Sequence, residues 1–305
     1  MSLIVNQILV LFIIILLGFV LRKMNIINEL LIKKLSELLL KITMPALIIS
    51  SMQLKQVDQA ILKECMFIFV FSGFIYIGSI LFAIILTKVT KCNKADEGVY
   101  RFMLVFANVG FMGFPVLAAT LGKEALFYGA IFNLPFNFLV YTIGIYFLKK
   151  KNEEKNDFTW KMFINPGVVA VLIGLVLFVF NIKLPFALDK ALSMVGDLTV
   201  PLSMLIIGGV LTSIHLKEVL SNWRIYLFSL LRLIVFPLMV LYIVRAFTSN
   251  ELIIGTAFIL TAMPMATNGV ILAEQYDGNA RLASESIFVS TLLSIITIPV
   301  IALFL

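Results

Sequence analysis

Charge is what this sequence has least of. Asp, Glu, Lys and Arg make up only 13% of the 305 residues, and hydrophobic residues make up 61%. A soluble domain carries about a quarter charged residues. Mean hydropathy is +1.08. Such a chain cannot cover a water-facing surface with polar groups, so its solvent is largely lipid. Histidine is nearly absent, with His215 alone near a predicted helix end. A conventional tetrahedral zinc site, which takes several N or S ligands, is therefore out of reach. The two cysteines, Cys65 and Cys92, lie far apart near predicted helix ends on opposite sides and read as incidental thiols. No Gly-x-x-x-x-Gly-Lys-Ser/Thr loop occurs, which excludes ATP-driven pumping within this chain. Gly-x-Ser-x-Gly, His-Glu-x-x-His and a midplane Asp pair are missing too, so an intramembrane enzyme has nothing to work with.

What is present is a series of apolar runs. A membrane helix needs about 20 apolar residues. Apolar runs and charged breaks predict ten spans, at 3–21, 35–52, 66–87, 102–120, 126–148, 163–182, 191–213, 225–246, 252–275 and 283–304. They leave no room for a separate soluble domain. The first run has no basic residue before it and Arg22-Lys23 after it, the reverse of a secretory signal, so it is expected to be a true first helix. The longest polar stretch, 149–161, reads as a cytoplasmic linker between two halves, 1–148 and 162–305.

Lys and Arg prefer the cytoplasmic side. With the N-terminus outside, the inner loops hold 16 of them and the outer loops 6, while Lys41 and Arg232 fall inside spans. This asymmetry predicts both termini on the outer side of the plasma (inner) membrane. The formal charge of +7 is then a topology signal and implies no nucleic-acid partner.

Shifted by 156 residues, the sequence overlays on itself without gaps. Gly18 meets Gly174, Asn25-Ile26 meets Asn181-Ile182, and Thr43-x-Pro45 meets Thr199-x-Pro201. Gly113 meets Gly269, Gly122 meets Gly278, and Phe132 meets Phe288. Chance supplies apolar matches in so greasy a chain, but rarely Asn, Thr-x-Pro and repeated Gly pairs in one register. Each half then holds five spans. Because five is odd, the second half enters the membrane from the opposite side. The predicted fold is all-α integral membrane, ten transmembrane helices in two inverted five-helix repeats. Secondary carriers commonly have this architecture and bind substrate near the midplane between broken helices.

The fourth and ninth spans are interrupted near their middles. The fourth contains Asn108-Val-Gly-Phe-Met-Gly-Phe-Pro115, and the ninth Met263-Pro264-Met-Ala-Thr-Asn268-Gly269. Pro115 and Pro264 cannot donate to the carbonyls of Phe111 and Leu260. Gly110, Gly113 and Gly269 ease unwinding. Asn108 and Asn268 bring amide donors and acceptors to membrane depth, where freed backbone is tolerated only inside protein or beside a wet cavity. Helix N-termini exposed by the breaks favour anions. The plainer reading is that Pro and Gly only kink these helices. Their pairing by the repeat favours a substrate site.

At these residues the sequence resembles the auxin efflux carrier family, which includes plant PIN-type auxin exporters and bacterial malate and malonate permeases. The resemblance covers essentially the whole chain. It rests on Asn108-x-x-x-Met112-Gly113-x-Pro115, on Ala262-Met263-Pro264 followed by Ala273-Glu274-Gln275-Tyr276, and on Thr43-Met44-Pro45. It implies broken crossover helices in spans four and nine. A scaffold bundle of spans one, two, six and seven would form a homodimer, beside a mobile transport bundle of spans three to five and eight to ten. It also implies carboxylate substrates and an elevator-like motion. Ala107 stands where plant members carry a proline before the asparagine, and Gly269 where they carry a second proline. These departures point away from auxin toward a bacterial-type carboxylate such as malate or malonate.

The candidate substrate-binding residues are Asn108, Gly110, Met112 and Pro115 in span four, and Pro264, Met265, Thr267 and Asn268 in span nine. Thr43 and Asn137 join them. Asn133 and Asn137, spaced i,i+4 around Pro135, either support span four or line the cavity. Four charged residues are candidates for coupling or charge recognition. Lys41 and Arg232 either snorkel to the inner surface or meet substrate. Glu285 is expected to pair with Arg232. Asp197 either takes up a proton or serves a structural bond. No cofactor or metal is expected, and whether H+ or Na+ is coupled is not readable. A channel, whose filter usually surrounds a symmetric oligomer axis, is disfavoured by the repeat within one chain. A receptor without transport remains open, though no signalling domain is present.

Overall fold

The computed structural model describes residues 3–55, 57–149, 165–213 and 222–304. They form an all-helical membrane protein. Seven helices are long and apolar enough to cross a bilayer. These are α1 (Leu3–Lys23), α2 (Glu29–Met52), α3 (Gln59–Val89), α6 (Lys123–Leu148), α8 (Phe186–Val210), α9 (Trp223–Arg245) and α12 (Ala280–Phe304). Between them lie the shorter α4 (Glu97–Val105), α5 (Val109–Leu121), α7 (Pro166–Val179), α10 (Glu251–Thr261) and α11 (Asn268–Gln275). The fourth expected span is α4 plus α5, and the ninth is α10 plus α11. Most of the 149–161 linker, with His215 and Lys217, lies outside the described residues.

Polar residues set the helix starts. The carboxamide or carboxylate oxygens of Asn28, Asp58, Asn165, Asn250 and Asn279 each accept a backbone N–H from the first turn of α2, α3, α7, α10 and α12. Helix α2 begins earlier than the expected residue 35. Its first ten residues, Glu29–Leu38, are amphipathic with none buried, so no apolar run marks them. Four turns among the described residues widen to π geometry, at Leu39–Thr43, Val109–Gly113, Val140–Gly144 and Leu231–Val235, and all but Val140–Gly144 end two residues before a proline. A proline ring has no N–H and clashes with the preceding turn, and a wider turn makes room for it.

Small residues decide which helices touch. A Cβ on Gly18 of α1 or on Gly208 of α8 would strike backbone of the other helix, so these two run in direct contact. Helix α7 packs closely on α2, with the Cβ position of Gly174 2.6 Å from the Met52 side chain at Cγ. Such close approach is how helices associate in lipid. Asn25 and Asn181, paired by the 156-residue shift, both take left-handed φ, 59° and 50°. They end α1 and α7 alike: Asn25 N donates to Arg22 O and Ile26 N to Leu21 O, while Asn181 N donates to Phe178 O and Ile182 N to Leu177 O. Outward faces are apolar, as at Ile13, Leu16 and Phe74, where lipid is the neighbour.

Candidate functional site

The two interrupted spans meet at their gaps. After Val105 the chain becomes extended, and Ala107 pairs antiparallel with Met265. Asn108 N donates to Pro264 O at 2.8 Å, and Ala266 N donates to Phe106 O at 2.9 Å. Backbone freed by one break thus satisfies backbone freed by the other, which unwound chain inside a membrane requires. The Asn108 side-chain oxygen caps Phe111 N at 3.2 Å, and its carbonyl accepts Gly113 N at 2.9 Å. Across the gap, Met265 N donates to Ser290 Oγ of α12 at 3.2 Å.

Beside this crossing lies a cavity of about 220 Å³. Drug-sized pockets run to about 300–1,000 Å³, so it suits a smaller solute. Five asparagines, Asn108, Asn133, Asn137, Asn165 and Asn268, share its wall with Thr267 and with apolar residues including Leu40, Met44, Phe111 and Phe136. No Lys, Arg, His, Asp or Glu is among the described lining residues. Three helices start at the wall: α5 at Asn108, α7 at Asn165-Pro166-Gly167, and α11 at Thr267-Asn268. The N–H groups of their first turns supply positive potential without a basic side chain in the wall.

The amides also bond to one another. Asn165 Nδ2 donates to Asn137 Oδ1 at 2.9 Å, and Asn137 Nδ2 donates to the Asn133 carbonyl at 3.0 Å. Asn165 Oδ1 meanwhile caps Val168 N at 2.9 Å. The side-chain oxygens of Asn133 and Asn268 are buried without a partner. Such acceptors are costly unless a donor reaches them.

Of the residues expected from sequence, the cavity gathers Asn108, Gly110, Asn137, Thr267 and Asn268. Met112, Pro115, Pro264, Met265 and Thr43 do not line it. Met112 is buried, and its sulfur accepts Ser294 Oγ at 3.8 Å. Pro115 is buried in the first regular turn of α5. Pro264 and Met265 build the crossing through their backbones. Thr43 is buried with its hydroxyl turned back to Leu39 O, 3.5 Å away. Asn133 and Asn165 complete the wall. Asn165 was missed by sequence reasoning, although Asn before Pro at the start of an apolar run is a helix-cap signal.

The charged candidates do not gather there. Lys41 is exposed. Asp197 is half exposed and pairs with Lys123, Nζ to Oδ1 2.5 Å, which is a structural bond near the end of a helical turn. The expected Arg232–Glu285 pair is not formed. Glu285 accepts Nε of Arg281, one turn back on α12, at 3.0 Å. A partner four residues away on the same helix costs less chain ordering than one on another helix. Arg232 does not snorkel: it is 2% exposed, and Nη1 donates to the Leu104 carbonyl at 3.2 Å.

Residues 3–302 match the family model described as membrane transport protein. An uncharacterized transporter of Methanocaldococcus jannaschii is 26% identical, the match covering 96% of each chain. One from Methanothermobacter thermautotrophicus is 24% identical over 94% of this chain and 93% of its own. The uncharacterized transporter YfdV of Escherichia coli is 24% identical over 70% of this chain and 69% of its own. With a two-way break held open at an amide-lined cavity and a family match over nearly every residue, the chain belongs to the membrane transport protein family, that of the auxin efflux carriers, and is a multi-pass transporter and not an enzyme.

Proposed function

We propose that the protein is a secondary carrier that moves a small organic anion, a carboxylate of about the size of malate or malonate, through the cavity at the crossing. One observation carries this reading: three helix N-termini and five carboxamides converge on a small cavity with no charged side chain among its described lining residues. Amide donors and helix N-termini suit a carboxylate. The two unpartnered amide oxygens suit a hydroxyl or a protonated carboxyl on the same solute.

The carrier is an inverted repeat, residues 1–148 and 162–305, joined by the 149–161 linker. Support comes from the shared caps at Asn25 and Asn181, and from two helix pairs that exchange under the shift, α1 with α8 and α7 with α2. Helices α1, α2, α7 and α8 form the scaffold, by which the protein dimerises, and the other helices form the transport bundle. Movement of that bundle gives elevator-like alternating access. Both termini lie outside the inner membrane. The cavity draws on the latter part of α6 and the start of α7, the two segments that flank the linker. With the linker in the cytoplasm, the cavity is the inward-facing one.

The test is uptake into proteoliposomes. Radiolabelled malonate or malate is expected to enter saturably and faster when the lumen holds unlabelled carboxylate. Flux that neither saturates nor accelerates would put a channel in the carrier's place. Uptake of amines or neutral solutes alone would discard the anion reading.

A further inference from the structure

A broken helix delivers two opposite partial charges to the point where it breaks. The amide end carries about +0.5 of a charge and the carbonyl end about −0.5. At this crossing the amide ends of α5 and α11 meet the carbonyl ends of α4 and α10. Two of each kind cancel at the crossing itself, which leaves the amide end of α7 as the one uncancelled end at the cavity.

One residue breaks the balance. Arg232, in the π turn of α9, donates to Leu104 O, one of the carbonyls left without a helical partner when α4 ends at Val105. Its Nε has no partner. Its other neighbours are the Phe236 ring, 5.9 Å from the guanidinium carbon, and the Tyr76 phenol. No carboxylate pairs with it among the described residues. Acids on or beside the helices packed against this turn are engaged elsewhere: Glu285 of α12 with Arg281, Glu97 of α4 with Arg101, and Asp96 before α4 with Asn279. Among the described residues the carbonyl end of α10 has no equivalent cation, because the 156-residue shift puts Tyr76 where the other half has Arg232. A buried charge without a counter-charge is costly, and removing one partner of a buried pair is strongly destabilising.

We propose that Arg232 sets the sign of the crossing and adds to the positive end of α7. Its charge neutralises the carbonyl end of α4, so that the amide ends prevail at the cavity. The transported anion is the counter-charge that the guanidinium lacks. Arg232 does not line the cavity, so it is a positioning residue that acts through α4. This inference rests on the carrier reading above. From Leu104 to the wall residue Ala107 is three residues, which with the side-chain reach puts the charge on the order of 10 Å from the cavity. A unit charge at that range and an effective dielectric of about 20 changes anion binding by roughly tenfold to twentyfold.

Arg232→Gln keeps a donor for Leu104 and removes the charge. In proteoliposomes its KM for the transported acid is expected to rise by roughly tenfold. Its kcat, and its KM for the neutral amide of the same acid, are expected to stay near wild type. Arg232→Lys keeps the charge and is expected to keep the preference for acid over amide. Arg232→Gln with the wild-type KM for the acid overturns the inference and leaves the carrier standing. If Arg232→Gln does not reach the membrane, Arg232→Lys decides: lost acid-over-amide preference with amide transport intact overturns it. Wild type that moves no carboxylate overturns the carrier reading and this inference with it.

Discussion

At the first interruption, the side-chain oxygen of Asn108 and two freed carbonyls have protein partners. Asn108 caps its own helix through Phe111 N, Phe106 O takes Ala266 N, and Leu104 O takes Arg232. At the second, Pro264 O and Met265 N are satisfied from outside, but α11 starts without a side-chain cap and Asn268 Oδ1 is left buried and unpaired. The shift aligns the two spans as counterparts, Gly113 with Gly269, yet they are finished differently. The first break is the more fully partnered of the two and fixes the crossing. The second holds bonding capacity in reserve for a solute.

The largest expected effect separates those two roles. Asn108→Ala and Asn268→Ala both remove a cavity carboxamide, and each is expected to cut uptake roughly ten- to hundredfold, the worth of a hydrogen bond to a charged group. They part in stability without substrate. Asn108→Ala loses a helix cap and is expected to cost about 1 kcal/mol. Asn268→Ala deletes an unsatisfied acceptor and is expected to leave thermal unfolding unchanged or slightly raised. Melting of both variants in detergent, without carboxylate, checks this. Equal destabilisation would mean that Asn268 also serves the fold, and the contrast between the breaks would fall.

A smaller effect comes from the glycines on the inner sides of the breaks. A Cβ at Gly269 would lie 2.7 Å from both Met265 Cε and Phe102 Cε1, and Phe102 is fully buried with its ring 4.8 Å from that of Phe106. A ring so held has nowhere to turn, and Gly269→Ala is expected to cost about 1–3 kcal/mol through overpacking. A Cβ at Gly113 would press mainly on the end of Leu260, 2.9 Å away, which can rotate. Ala also gains up to about 1 kcal/mol in helix propensity over Gly, so Gly113→Ala is expected to be close to neutral. The difference in unfolding midpoint between the two variants is the measurement.

The crossing was legible because it violates a local rule. Apolar runs with Pro, Gly and Asn at their centres cannot be ordinary membrane helices, and the shift pairs two of them. Which residues face the cavity was less legible, since Met112 and Pro264 sit in the same motifs as Asn108 and Asn268 but point into packing or act through backbone. The wall contributed by α7 was hidden because Asn165 follows the polar linker and reads as part of it. The pairing of Glu285 does not follow from its depth in the membrane, because Arg281 lies one turn away on the same helix. The amphipathic start of α2 escaped a method that looks only for apolar length.

The smallest expected effect concerns the charges that the shift also pairs, Lys41 and Asp197. If the halves were alike in function here, both would act on the solute. Lys41 is exposed, and Asp197 holds Lys123 in an ion pair whose two side chains are 42% and 51% exposed. Exposed pairs of this kind contribute about 0–1 kcal/mol and are screened by salt. Asp197→Asn is therefore expected to transport at the wild-type rate, with an unchanged pH profile and at most a small, salt-sensitive loss of stability. A proton-coupling carboxylate would behave otherwise, because its amide replacement removes the pH dependence of uptake. Loss of that dependence in Asp197→Asn would place coupling in the middle of α8 and make the charged positions, and not the broken spans, the place where the two halves differ most.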